Sequence, residues 1–154
     1  MQTCECGAAE GSLGLCIDYY HAILAEEQGD PEMYRLHAPV VCTYFLQHPD
    51  RAAGKYLDGQ FRQLQLLLDR GLDALLKVAS HQVARNRAGS GYNPAPLAPY
   101  RPLPLSGRPT GFRSGFPDLP CPGGSFVTNG HAAYEGLILA LAGDTVAAWL
   151  EVSD

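Results

Sequence analysis

Residues 16–49 read CIDYYHAILAEEQGDPEMYRLHAPVVCTYFLQHP, and they decide the fold. Cys16, Tyr20, Ile23, Leu24 and Glu27 recur near the helical period, so a first helix runs from Cys16 to Gln28 and ends at Gly29. Asp30-Pro31 then starts another. The Asp30 carboxylate can accept from the free N–H groups of a first turn, and Pro31 fits the first helical position, where a missing N–H removes no bond. Met33, Leu36, Val40, Tyr44 and Gln47 form one stripe along this second helix, with His37, Val41 and His48 beside it, until Pro49 stops it. Pro39 lies inside that run, so the sequence predicts either a kink there or two short helices joined at that point. Two antiparallel helices with a short turn at residues 29 and 30 bring the start of the first beside the end of the second. Cys16 and His48 therefore face one another at one end of a hairpin.

Working outward toward the C-terminus, Leu57, Phe61, Leu64 and Leu68 mark a long amphipathic helix, with Gly71 as its cap or a soft spot. Leu72, Leu75, Leu76, Ala79 and Val83 extend a helical stripe to about Arg87, as the same helix or a new one. Nine of the twelve prolines and seven of the seventeen glycines then fall between Gly89 and Gly124, so no regular helix is expected there. Tyr100, Phe112 and Phe116 punctuate this stretch, which predicts a strap packed on the helices by its aromatics. Thr128 or Asn129 can cap a helix through Leu137 and Leu141, and Asp144-Thr145 a short last turn containing Trp149. The expected fold is mainly α: a small helical bundle in one domain over residues 1–154. Its parts are a Cys-rich hook (1–15), a helical core (16–87), a Pro/Gly-rich strap (88–126) and a C-terminal helical segment (127–152).

The chain has 154 residues, a formal net charge of -5 and five cysteines. An acidic chain of this kind argues against sequence-independent binding of nucleic acid, which depends on neutralising phosphates. No run of about 20 apolar residues is apparent, and the first residues carry neither a basic start nor an apolar core, so the expectation is a cytoplasmic protein without a membrane partner. Between Ala74 and Pro117 there are six basic residues (Lys77, Arg85, Arg87, Arg101, Arg108 and Arg113) and no acid. This cationic strap either wraps an acidic body or forms an Arg-rich rim for a small anionic ligand, a carboxylate or phosphate.

Three cysteines, Cys4, Cys6 and Cys16, crowd the first sixteen residues, and Gly7 allows a tight turn beside them. In a reducing compartment clustered thiols bind metal more often than they pair as disulfides, and zinc prefers tetrahedral thiolate and imidazole donors. His48 is the expected fourth ligand, with His21 and Cys121 as alternatives. A closed set of four protein donors leaves no position for water, which points to a structural metal. His37 stands about 16 Å from His48 along a straight helix and cannot share its metal. His37, Tyr44 and His21 are instead candidate catalytic residues, able to line an acid/base cavity. Phosphate loops, dinucleotide fingerprints, HExxH and GxSxG are absent from the sequence. Three functional classes follow: a zinc-binding helical protein, a small metal-dependent enzyme acting on a small polar or anionic molecule, and an adaptor for a partner protein.

Cys4-Glu5-Cys6-Gly7, Cys16-Ile17-Asp18-Tyr19-Tyr20-His21, Leu24-Ala25-Glu26, Asp30-Pro31, Leu36-His37, Val41-Cys42-Thr43-Tyr44 and Leu46-Gln47-His48-Pro49 together resemble an uncharacterised bacterial domain-of-unknown-function family. That family has an N-terminal Cys pair and a helix ending in Leu-Gln-His-Pro. The resemblance implies Cys6, Cys16, His37 and His48 as site residues. It implies no reaction.

Overall fold

The computed structural model describes residues 2–52, 56–91, 93, 95–103 and 107–152. Six α-helices appear among them: α1 (Cys16–Glu27), α2 (Pro31–Tyr34), α3 (His37–Gln47), α4 (Leu57–Arg70), α5 (Leu72–Arg87) and α6 (His131–Glu151). The described residues hold no β-strand, only isolated bridges between Thr3 and Ala9 and between Gly11 and Gly14. The chain is a mainly α bundle.

Local chemistry accounts for the first helices. Leu15 N–H donates to Asp18 Oδ2 at 2.9 Å, which closes the first turn of α1. Asp30 accepts from Met33 N–H at 3.1 Å and Pro31 takes the first helical position, as their residue types dictate. The second helix differs from expectation in where it breaks. Helix α2 is a single turn, and the chain re-enters a helix at His37, past Arg35 and Leu36, upstream of Pro39. Pro39 thereby becomes the third residue of α3, where its missing N–H would have had no intrahelical partner, so it imposes no kink.

Helix α3 is buried on most of its circumference, through Val40, Cys42, Thr43, Tyr44, Leu46 and Gln47, as expected of a central helix. It packs on α1, α4 and α6. Phe61, Leu64 and Leu67 of α4 and Tyr134, Ile138, Leu141 and Trp149 of α6 complete the core around it. Gln47 is buried, and its Nε2 donates to Thr145 Oγ1 and to the Ser114 carbonyl, both at 3.0 Å, while its Oε1 is buried without a partner. Leu68, expected on the buried stripe of α4, is 43% exposed, and Leu67 is buried instead.

Gly71, at φ 93°, ends α4 and starts α5, a conformation that L side chains rarely adopt, so the two are separate helices. Only Leu72 and Leu75 of α5 are buried; Val83, placed on the same stripe from sequence, is 50% exposed. The last helix also corrects the sequence reading. Helix α6 runs unbroken through Gly143, and no side chain caps it at Gly130. Thr128 Oγ1 donates to the carbonyls of Pro122 and Ser125, while Asp144 and Thr145 serve tertiary contacts with Ser114 and Gln47. By length and composition alone α6 is long and apolar enough to cross a membrane, contrary to the expectation that no segment is. In the fold its Tyr134, Ile138, Leu141 and Trp149 face the core.

The described part of the strap packs on the bundle; residues 92, 94 and 104–106 lie outside the described residues. Leu97 and Phe116 are fully buried, Tyr100 donates its hydroxyl to Asp69 at 2.8 Å, and Arg108 pairs with Asp50 at 2.6 Å. The last of these is a cationic strap meeting the acidic body.

Candidate metal centre

The hook begins with a turn in which the Gly7 N–H donates to the Cys4 carbonyl at 2.9 Å, and the Cys4 N–H donates to the Ala8 carbonyl at 2.8 Å. Gly7 closes it at φ 97°, where a side chain would strain the backbone. The turn presents Cys4 and Cys6 to the bundle, and these are the only buried residues among 2–14, each 8% exposed.

Cys16 is the first residue of α1 and has no exposed surface. Its Sγ lies 3.6 Å from Cys6 Sγ, far beyond the roughly 2.05 Å of a disulfide. All five cysteines are free thiols.

His48 follows the last turn of α3 and is 1% exposed. Its Nδ1 lies 2.7 Å from the Tyr44 carbonyl oxygen, which can only accept, so Nδ1 carries the proton. In the neutral ring that tautomer leaves the lone pair on Nε2, which lies 3.3 Å from Cys4 Sγ. Metal-bound imidazoles are commonly held this way, one nitrogen donating to a carbonyl and the other facing the ion. The Tyr44 ring adds to the hold, stacking on His48 at 4.4 Å on one side and on Tyr20 at 4.0 Å on the other.

The donor atoms of Cys4, Cys6, Cys16 and His48 all lie within 4.8 Å of one another. Around zinc, bond lengths near 2.3 Å to sulfur and 2.0 Å to nitrogen put tetrahedral donors about 3.5–3.8 Å apart. The 3.6 Å sulfur pair and the 3.3 Å sulfur–nitrogen pair come close to those edges. This group of four could hold a metal ion.

Hydrogen bonding and burial split the two thiols of the Cys6–Cys16 pair. The Cys16 thiol, hydrogen-bonded to Cys6, holds the Cys6 thiol down to about 4 against the cost of its burial, with smaller help from His48 and Ala8. Cys16 is pushed up by the same hydrogen bond and by burial. The pair thus shares one proton, since two thiolates at that separation repel strongly without a positive charge between them. Tyr44 is pushed up to about 12, chiefly by burial. At the rim Arg51 Nε donates to Glu5 Oε1 at 2.7 Å and fastens the hook to the chain just beyond His48.

Two cavities flank the centre. One of about 150 Å³ is lined by Cys6, His48, Glu5, Arg108, Phe112 and Trp149 among others. The other, about 320 Å³, lies between the hook and the strap and includes Cys6, Glu10, Phe112 and Arg113.

The alternative ligands are elsewhere. His21 is exposed on α1, and Cys121, raised by burial and by Glu26, lies toward the far end of that helix. The residues suggested for catalysis are not gathered in one cavity either: Tyr44 is buried beside His48, His21 faces solvent, and His37 is bonded to Glu27. That Glu27–His37 contact was not foreseen. Glu27 is 1% exposed, and its Oε1 meets His37 Nδ1 where α1 ends and α3 begins, while the His37 ring stacks on Tyr34. The place of Glu27 on the apolar stripe of α1 was the available signal, because a carboxylate on a core face requires a partner.

Compared with known proteins, residues 1–150 match the model of a family of unknown function, DUF5946, and the chain belongs to that family. No curated protein and no solved structure matches it.

Proposed function

We propose that Cys4, Cys6, Cys16 and His48 bind one zinc ion in a closed Cys₃His site whose role is structural. The observation that carries this is the His48 ring, with Nδ1–H committed to the Tyr44 carbonyl and the Nε2 lone pair facing three sulfurs. Zinc is favoured over harder ions because thiolate and imidazole donors suit it, and four protein donors fill a tetrahedron.

The hook itself supports a structural role. Apart from the two cysteines, its residues from Gln2 to Gly14 are exposed or half-buried, and Leu13 is 39% exposed. So short a segment buries too little apolar surface to offset the entropy of ordering it, whereas a zinc ion bound by two of its side chains supplies folding free energy directly. Reduced thiols at such a site fit a cytoplasmic protein. Elemental analysis of protein purified without added metal tests the proposal; a folded chain free of metal contradicts it.

A second reading draws on the two cavities: a metal-dependent reaction on a small anion, with Arg113 of the larger cavity as its contact. That reading requires water to take the place of one protein donor. The visible spectrum of the cobalt-substituted protein decides between them, because the spectrum of a closed site is unchanged by added small anions, whereas an anion that displaces a bound water shifts it.

A further inference from the structure

Of the three sulfurs in the cluster, Cys6 alone lines the two cavities, and it lines both. Each cavity is several times the roughly 30 Å³ that a water molecule occupies in the liquid, so there is room for a molecule the size of hydrogen peroxide beside Cys6 on either side. The other two sulfurs are placed differently. Cys16 is sealed, with no exposed surface, and Cys4 faces His48. The Cys6 sulfur is hydrogen-bonded to that of Cys16 at 3.6 Å, so a disulfide needs these two atoms to approach by only about 1.5 Å.

From this arrangement, and resting on the zinc reading above, we infer that Cys6 is a peroxide-reactive ligand and Cys16 its resolving partner, so that oxidation joins the two and expels the metal. The Cys6 thiolate attacks one oxygen of hydrogen peroxide; an S–O bond forms, the O–O bond breaks, and hydroxide leaves to become water. Cys6 is oxidised by two electrons to the sulfenic acid and the peroxide is reduced. The Cys16 thiolate then attacks the Cys6 sulfur; the S–S bond forms, the S–O bond breaks, and the second hydroxide leaves as water. In sum two thiolates, one peroxide and two protons give one disulfide and two waters. Cys4 and His48 then remain as two donors, too few to retain zinc, and the hook loses its metal tie to the end of α3 while becoming bonded to α1.

The test uses the full chain, loaded with zinc as purified, both unsubstituted and with Cys42→Ser and Cys121→Ser, which lie outside the cluster. Hydrogen peroxide is added in steps, released zinc is followed with a metallochromic dye, and the thiols are mapped by mass spectrometry of proteolytic peptides. The expected result is one zinc released for each disulfide formed, a cross-linked peptide pair containing Cys6 and Cys16, and zinc uptake restored by a thiol reductant. Zinc retained under excess peroxide, or a first disulfide involving Cys4, overturns the inference and leaves the zinc reading standing. A chain that carries no zinc as purified overturns both.

Discussion

Cys4 Sγ lies 3.3 Å from Nε2 of His48, across 44 residues of sequence, and this contact joins the N-terminal hook to the end of α3. The proton on the other ring nitrogen is held by a backbone carbonyl, so no side-chain substitution of a partner is needed to set the tautomer.

At the proposed zinc site His48→Ala removes one of four ligands. Zinc affinity should fall by more than the roughly 10–100-fold that an outer hydrogen-bonding partner is worth, while His21→Ala and Cys121→Ser should leave it unchanged. Competition with a chromogenic chelator measures all three. Equal affinity of the His48 variant would remove this residue from the site.

Gly7→Ala acts through the backbone, since no atom lies within 4 Å of where its Cβ would be, yet φ is +97°. Forcing a side chain into that conformation costs about 1–3 kcal/mol. The turn forms only when the hook is ordered, so the expected readout is zinc affinity reduced by about tenfold or somewhat more. Unchanged affinity would show that the turn is already set without metal.

Trp149 is the single tryptophan, and it lines the smaller cavity together with Cys6 and His48. Its fluorescence should therefore shift when a chelator strips the metal and the hook loosens. Its Nε1 also donates to the buried Leu46 carbonyl at 2.8 Å. Trp149→Phe leaves that oxygen unpaired and should lower the urea unfolding free energy by about 1–3 kcal/mol. An emission spectrum indifferent to chelation would place the hook's disorder elsewhere.

His131 at the start of α6 pairs with Asp30 at 2.7 Å, with Glu32 3.4 Å from the other ring nitrogen. The hydrogen bond to Asp30 raises His131, and the same bond lowers Asp30. A raised histidine contributes stability that is fully present below its unfolded value near 6.5 and is lost as pH rises through the higher folded one. A lowered aspartate contributes above its unfolded value near 3.9 and loses this as pH falls through the folded one. The contact is therefore strongest between about pH 4 and 6.5. The melting temperature of the native chain should exceed that of His131→Gln by more at pH 5.5 than at pH 8.5. Zinc binding, common to both proteins, cancels in the difference, and a gap that grows with pH would contradict the assignment.

The parts of this molecule written in local signals are legible in its sequence. Gly29, Asp30 and Pro31 end one helix and start the next through bonds made within a few residues, and the hairpin they create already brings Cys16 toward His48. Pro39 shows where such reading fails. Its effect depends on which residue begins the helix, and the break at Arg35 and Leu36 puts that start at His37. Asp144 and Thr145 resemble a helix cap in sequence, but Ser114 and Gln47 claim their side chains from distant segments. The apolar stripe of α1 announces that Glu27 needs a partner without naming His37, and the Glu5–Arg51 clasp and the Tyr44 carbonyl are not legible, because each depends on tertiary placement or on a backbone atom that no residue type announces.

The central claim is that one zinc ion ties the hook to the hairpin. Native mass spectrometry of the chain purified without added metal, paired with elemental analysis, tests it most directly. The account predicts one zinc per chain, lost together with the Cys16→Ser substitution. A folded, monodisperse chain at its bare mass, with no zinc, would contradict it.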